Sequence, residues 1–149
     1  MRRSPEATTL TDTTDVGGGK TILIVEDHAR MRRNLCEFLH SAFPHCILRE
    51  AMDAASALES CQVFGPDLVL MDKCLPDADG IELTLRLRTL HAGIKIIVIS
   101  YRSEAIYTER AVAAGALGYV FKDRIFTDLA PAIAAALGIT PPADSGNIQ

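Results

Sequence analysis

No run of apolar residues in this sequence approaches the roughly 20 that a bilayer-spanning helix needs, so no transmembrane helix and no membrane partner are predicted. The opening residues, MRRSPEATTL, contain arginines but no apolar stretch behind them, which argues against a secretory signal and predicts a cytoplasmic location. The four cysteines (36, 46, 61 and 74) form neither a CxxC pair nor a zinc-ligand spacing. In a reducing compartment they are expected to be small buried hydrophobes. Cys74 stands near several carboxylates, which disfavour a thiolate, and is expected to be inert. Lysine and arginine do not cluster, and with a net charge of −4 this argues against a nucleic-acid footprint on this chain itself.

What is present describes one globular domain. The 149 residues are 48% hydrophobic, enough for a real core in a domain of roughly 100–150 residues. Residues 1–20 are rich in Thr, Ser, Asp and Gly, without apolar periodicity, and read as a tail. Residues 139–149, with Pro141 and Pro142, read as a second tail, which leaves 21–138 as the folded domain.

Within that domain two periodicities alternate. Residues 22–25 (ILIV), 68–71 (LVLM) and 94–99 (IKIIVI) are short, nearly continuous apolar runs, the pattern of strands buried on both faces of a parallel sheet. A weak strand over 47–50 and a last one over 119–121 complete the set. Between them, Met31, Leu35, Phe38, Leu39 and Ala42 recur at helical spacing, with Arg30, Arg32, Arg33 and Glu37 largely opposite and Pro44 closing the helix. Asp53 suits the N-cap of a helix carrying Ala57, Leu58 and Cys61, and residues 104–114 form another helix ended by Gly115. Thr127 is expected to cap a final alanine-rich helix that stops near Gly138. The stretch after Gly80 is ambiguous, because Ile81, Leu83, Leu85 and Leu87 alternate as a strand would. A parallel neighbour requires a crossover element, so a helix is expected, with Leu83, Leu87 and Leu90 inward and Leu85 exposed. Five β–α repeats predict a parallel α/β sheet with helices on both faces.

Four of the five strands end in a chemically capable residue: Glu26 with Asp27, Asp72, Ser100 and Lys122. Ligands of open α/β sheets sit at that end of the strands. Neighbouring carboxylates raise one another's pKa unless a cation joins them, and an open oxygen site suits Mg²⁺ with water and phosphate oxygens. Lys122 and Ser100 would hold further phosphoryl oxygens. Asp72, at the mouth of the sheet, would be the attacking carboxylate that forms an acyl phosphate.

The segments ILIVEDH (22–28), DLVLMDKCLPDADG (67–80), IIVIS (96–100) and AGALGYVFKD (114–123) together resemble a two-component response-regulator receiver domain over about residues 21–138. The EDH opening and the AGALGYVFKD segment lean toward the subfamily usually fused to a helix-turn-helix output domain. The resemblance implies a flavodoxin-like doubly wound fold with a five-stranded sheet in the order 2-1-3-4-5. It implies Asp72 as phosphoacceptor, and an Mg²⁺ ion held by Glu26, Asp27, Asp72 and the backbone carbonyl of Cys74. Ser100 takes the place of the switch hydroxyl, Lys122 that of the phosphate-binding lysine, and Tyr119 that of the switch aromatic. The partners implied are a histidine kinase or histidine phosphotransfer protein, with a homodimer or target protein meeting the last helices. Catalysis would be limited to self-phosphorylation and slow autodephosphorylation, so the chain is not expected to be an enzyme. Two positions depart from the usual pattern: Glu26 replaces the commoner Asp, and Tyr101 follows Ser100 where a small residue is usual, narrowing access to the phosphoryl group.

Three other readings compete. One is a receiver-shaped interaction module working without phosphorylation, against which the intact site argues. Another is the receiver part of a longer DNA-binding regulator. The third is an Asp-nucleophile phosphohydrolase of the haloacid-dehalogenase type, which needs a second Asp two residues after the first; that position is Cys74.

Overall fold

The computed structural model describes residues 19–140; the two expected tails, 1–20 and 139–149, fall almost entirely outside them. In chain order the elements are β1 (Thr21–Val25), α1 (Ala29–Ala42), β2 (Ile47–Ala51), α2 (Ala54–Phe64), β3 (Leu68–Asp72), α3 (Gly80–Leu90), β4 (Lys95–Ser100), α4 (Ala105–Ala113), β5 (Gly118–Phe121) and α5 (Ile125–Leu137). The five strands make one parallel sheet in the order β2-β1-β3-β4-β5, which is the expected 2-1-3-4-5 arrangement. Among the described residues no helix is long and apolar enough to cross a membrane.

The pleat of the sheet divides the core in two. Ile22, Ile24, Leu68, Leu70, Ile97 and Ile99 face α1 and α5, meeting Leu35, Leu39, Ile125, Leu129 and Ile133. Leu23, Val25, Val69, Met71, Ile96 and Val98 face the other way, onto Ala57 and Cys61 of α2, Leu83 and Leu87 of α3, and Ala111 of α4. Each fully buried Leu or Ile contributes about 1.5–3 kcal/mol of transfer free energy, so strands that fill both layers fix the register firmly.

The segment after Gly80 is a helix. Asp79 caps it, its carboxylate accepting from the Ile81 N–H at 2.7 Å, and the Thr84 hydroxyl bonds back to the Gly80 carbonyl at 2.8 Å. Leu85 is exposed as expected, but so is Leu90, while Ile81 is buried. Helix position outweighs angle here: Leu90 is the last residue of α3, whereas Ile81 follows Gly80, which is pressed against the backbone of Asp72 and Lys73.

Helix α5 starts earlier than the sequence predicts. Thr127 does not cap it; a 3-10 turn over Lys122–Arg124 runs straight into the helix at Ile125, and Thr127 is its third residue. The helix also tolerates Pro131 in its interior, where the ring supplies no N–H for the Thr127 carbonyl. On this alanine-rich helix Ala132 and Ala136 are half-buried against the core, and Ala135 is exposed. The cysteines also divide: Cys46 and Cys61 are buried and Cys36 half-buried, but Cys74 is exposed. Burial pushes the Cys36 and Cys61 thiols up to about 11, so both stay protonated at neutral pH.

Candidate functional site

Register brings the strand-end residues together. Val25 pairs with Met71, so the residues that follow, Glu26 and Asp72, emerge side by side from the central strands. Asp72 pairs with Ile99 and Ser100 with Phe121, which places Ser100 and Lys122 just beyond the same edge. Gly80 lets the start of α3 pack directly on the end of β3. A Cβ there would fall on the Asp72 carbonyl oxygen and lie 2.8 Å from the Lys73 Cα, and the Gly80 N–H donates to the Lys73 carbonyl at 2.6 Å.

The carboxylates and the lysine form one buried cluster. Lys122 Nζ lies 3.0 Å from Glu26 Oε1 and 3.2 Å from Asp72 Oδ1, and Glu26 is only 2% exposed. The other Glu26 oxygen accepts the His28 N–H at 3.1 Å, and Asp72 Oδ1 also accepts the Cys74 N–H at 3.2 Å. Glu26, the exposed Asp27 and Asp72 each offer an oxygen within 4.8 Å of the others, a hard-oxygen set of the kind that takes a hard cation. Burial pushes the Asp72 carboxyl up to about 7, with Glu26 adding to the rise and Lys122 and the Cys74 N–H holding it down. Burial works against the Lys122 ammonium, but Asp72 and Glu26 outweigh it and raise the pKa of Lys122. A cavity of about 570 Å³ opens over the cluster, lined also by Arg30, Asn34 and Tyr101.

The family model of the response regulator receiver domain matches residues 22–134. This chain belongs to that family. It is 35% identical over 123 residues to the transcriptional regulatory protein PdtaR of Mycobacterium tuberculosis, covering 83% of this chain and 59% of PdtaR. It is 38% identical over 103 residues to the chemotaxis protein CheY of Halobacterium salinarum, covering 69% of this chain and 84% of CheY. Among solved structures, a LuxR-family two-component response regulator from Aurantimonas superposes with a TM-score of 0.75 at 31% identity, covering 79% of this chain and 84% of that one. A CheY-like receiver domain from Methanospirillum hungatei gives 0.73 at 28% identity, covering 80% and 94%. The chain is thus a response regulator receiver domain of two-component systems, and it spans under two thirds of the length of PdtaR.

In this receiver the strand-end residues singled out from the sequence, Glu26, Asp27, Asp72, Ser100 and Lys122, all line that one cavity, whereas Tyr119 lies inside β5, paired with Val98. The Ser100 hydroxyl accepts the Arg102 N–H at 2.9 Å, and the Tyr119 hydroxyl donates to the Arg102 carbonyl at 2.7 Å. Sequence reasoning missed Arg102, because its part is played by the backbone. It also missed Arg32, counted among the solvent-facing residues of α1: Nη1 donates to the Glu26 carbonyl at 2.7 Å and Nε to Glu50 at 3.0 Å, tying α1 to two strand ends. Asp77 accepts the N–H groups of Ala54 at 2.8 Å and Ala55 at 3.1 Å, so the loop after Asp72 caps α2 from outside. Asp53 behaves as the sequence predicts, with a reciprocal capping box to Ser56.

Proposed function

We propose that this domain, residues 21–138, is an Mg²⁺-dependent phosphoacceptor that takes a phosphoryl group onto Asp72 from a histidine kinase or histidine phosphotransfer protein. The observation that carries the proposal is the cluster itself: three carboxylate oxygens within 4.8 Å, with Lys122 3.0 and 3.2 Å from two of those side chains. An Asp72 oxygen attacks phosphorus, the P–N bond of the donor phosphohistidine breaks, and the electron pair leaves on the imidazole, which takes up a proton. Bound Mg²⁺ would offset the charge of the phosphoryl oxygens and of the carboxylates around them. Glu26, Asp27, Asp72 and the Cys74 carbonyl would hold it; the oxygen donors and the mutual repulsion of the acids suit such an ion. Lys122 steadies the phosphoryl group, Ser100 donates to it, and Tyr119 changes its contacts as Ser100 moves. The output is a change of partner contacts, through the surface of the last helices, to a target or a second copy. Beyond its own phosphorylation and slow dephosphorylation the domain catalyses nothing.

Incubation with acetyl phosphate or a kinase and Mg²⁺ should give one acid-stable, base-labile phosphate per chain. Asp72→Ala should abolish it, and excess EDTA should stop it. Labelling of Asp72→Ala at the wild-type level would overturn the nucleophile, and labelling unchanged in EDTA would overturn the metal. An unlabelled wild type would favour a phosphorylation-independent interaction module. Because this chain aligns to 59% of PdtaR, a transcriptional regulator, a second reading makes it the receiver part of a longer DNA-binding regulator. Reading the gene beyond Gln149 tests it, since an uninterrupted frame into an output domain is required.

A further inference from the structure

Beside the carboxylate cluster, three cations converge on one aromatic ring. Lys73 Nζ lies 4.5 Å from the centre of Tyr107, the Arg102 guanidinium 5.1 Å and that of Arg110 6.0 Å. Lys73 follows Asp72 directly, yet it is only 8% exposed, and its ammonium pairs with Asp79 at 3.3 Å. An ammonium removed from water leans on the negative face of a ring more heavily than an exposed one does. Asp79 caps α3 at the same time, so the lysine is held from two directions. Within helix α4 Ala111 is the one buried residue, with Ala114 and Ala116 buried just beyond its end and Tyr107 packed on the same core.

Arg102 joins this ring to the site. Its N–H is bonded to Ser100 and its carbonyl to Tyr119, while its guanidinium rests on Tyr107 and pairs with Glu104 at 3.1 and 3.2 Å. A Ser100 hydroxyl that swings toward a phosphoryl oxygen on Asp72 must leave the Arg102 N–H or carry the loop with it. We propose that Tyr107 is a positioning residue: in contact with both Lys73 and Arg102, its ring holds the β4–α4 loop where Ser100 and Tyr119 are both tied to Arg102, and so opposes phosphorylation. The clamp rests on Asp72 being the phosphoacceptor. It competes with the phosphoryl group for the position of the loop, and linkage requires that loosening one tightens the other.

The test is the apparent Kd of the full chain for beryllofluoride, a phosphoryl mimic, in Mg²⁺, read by fluorine NMR of the bound species. Tyr107→Phe keeps the ring and should bind as wild type does. Tyr107→Leu and Lys73→Met should each bind roughly 3- to 10-fold more tightly. A merely structural role would lower the melting temperature without tightening binding, and equal or weaker affinity in both variants overturns the clamp. Tyr107→Phe behaving as Tyr107→Leu overturns the part given to the ring. Should Tyr107→Leu fail to fold by circular dichroism, Lys73→Met, which leaves α4 unaltered, decides alone. No bound signal in wild type, or an undiminished one in Asp72→Ala, overturns the phosphoacceptor reading and the clamp with it, whereas normal binding with equal affinities overturns the clamp only.

Discussion

The Lys122 ammonium lies 5.2 Å from the centre of the Tyr101 ring, on the wall of the cavity that also holds Glu26 and Asp72. The ring covers a side of the site that a small residue would leave open to water. Hydrolysis of an acyl phosphate needs a water in line with the leaving carboxylate, so shielding that approach lengthens its life. Tyr101→Ala should shorten the half-life of the phosphorylated protein by roughly 2- to 10-fold, measured as loss of label after removal of the donor. An equal or longer half-life would show that the ring shields nothing.

Asp72 makes stability fall as pH rises. Its folded pKa of about 7 lies above the ordinary carboxylate value of roughly 3.9, so between the two the folded state binds more protons than the unfolded one. The resulting destabilisation grows from about pH 4 to 7 and is complete above that. Asp72→Asn should therefore be more stable than wild type in metal-free buffer at pH 8, by on the order of 2 kcal/mol, with the gap closing toward pH 4. Urea unfolding at pH 4.5, 6 and 8 measures this, and a variant less stable than wild type at pH 8 would contradict it.

Gly80 is fixed by space rather than by its own dihedral angles, since it is not among the glycines with positive φ. Gly80→Ala must push α3 away from the Asp72 and Lys73 backbone or shift the end of β3. The expected cost is about 2–4 kcal/mol in urea unfolding, accompanied by slower Asp72 labelling. Ala substitution at Gly93, where a Cβ meets nothing within 4 Å, is the control.

Ala135 lies on the exposed face of α5 beyond the half-buried Ala132 and Ala136. Ala135→Glu should change stability by no more than about 0.5 kcal/mol, as surface substitutions do, and should leave Asp72 labelling intact. It should weaken phosphorylation-dependent association, followed by sedimentation of the beryllofluoride-bound protein with and without its kinase or target. Equal association by variant and wild type would return this face to plain scaffold.

The sheet was legible because buried parallel strands are written as local apolar runs, and the ends of those runs already placed Glu26, Asp72, Ser100 and Lys122 on a common edge. Helix α3 was legible only through topology, since Ile81, Leu83, Leu85 and Leu87 alternate like a strand. What stayed hidden depends on long-range geometry. Lys73 and Tyr107 are 34 positions apart and have no pattern in common. Arg32 reads as a surface charge until its guanidinium is seen on the Glu26 carbonyl. Thr127 has the right chemistry for an N-cap, but the 3-10 turn after Lys122 starts the helix earlier, and no single-residue preference reports that.

The carboxylate of Asp77 across the first N–H groups of α2 has a consequence for the ion proposed at this site. The Cys74 carbonyl belongs to a short loop bridged between Cys74 and Asp79 and held further by Asp77. Asp77 anchors that loop on a separate helix, and the Leu75 N–H closes it by donating to the Ala78 carbonyl at 3.2 Å. The entropy of ordering this ligand is therefore lost when the chain folds and not when the cation arrives, which is preorganisation at a distance. An Asp77→Ala chain would keep every proposed metal-binding group, yet hold its ion more weakly, because a loose loop would have to be gathered at each binding event.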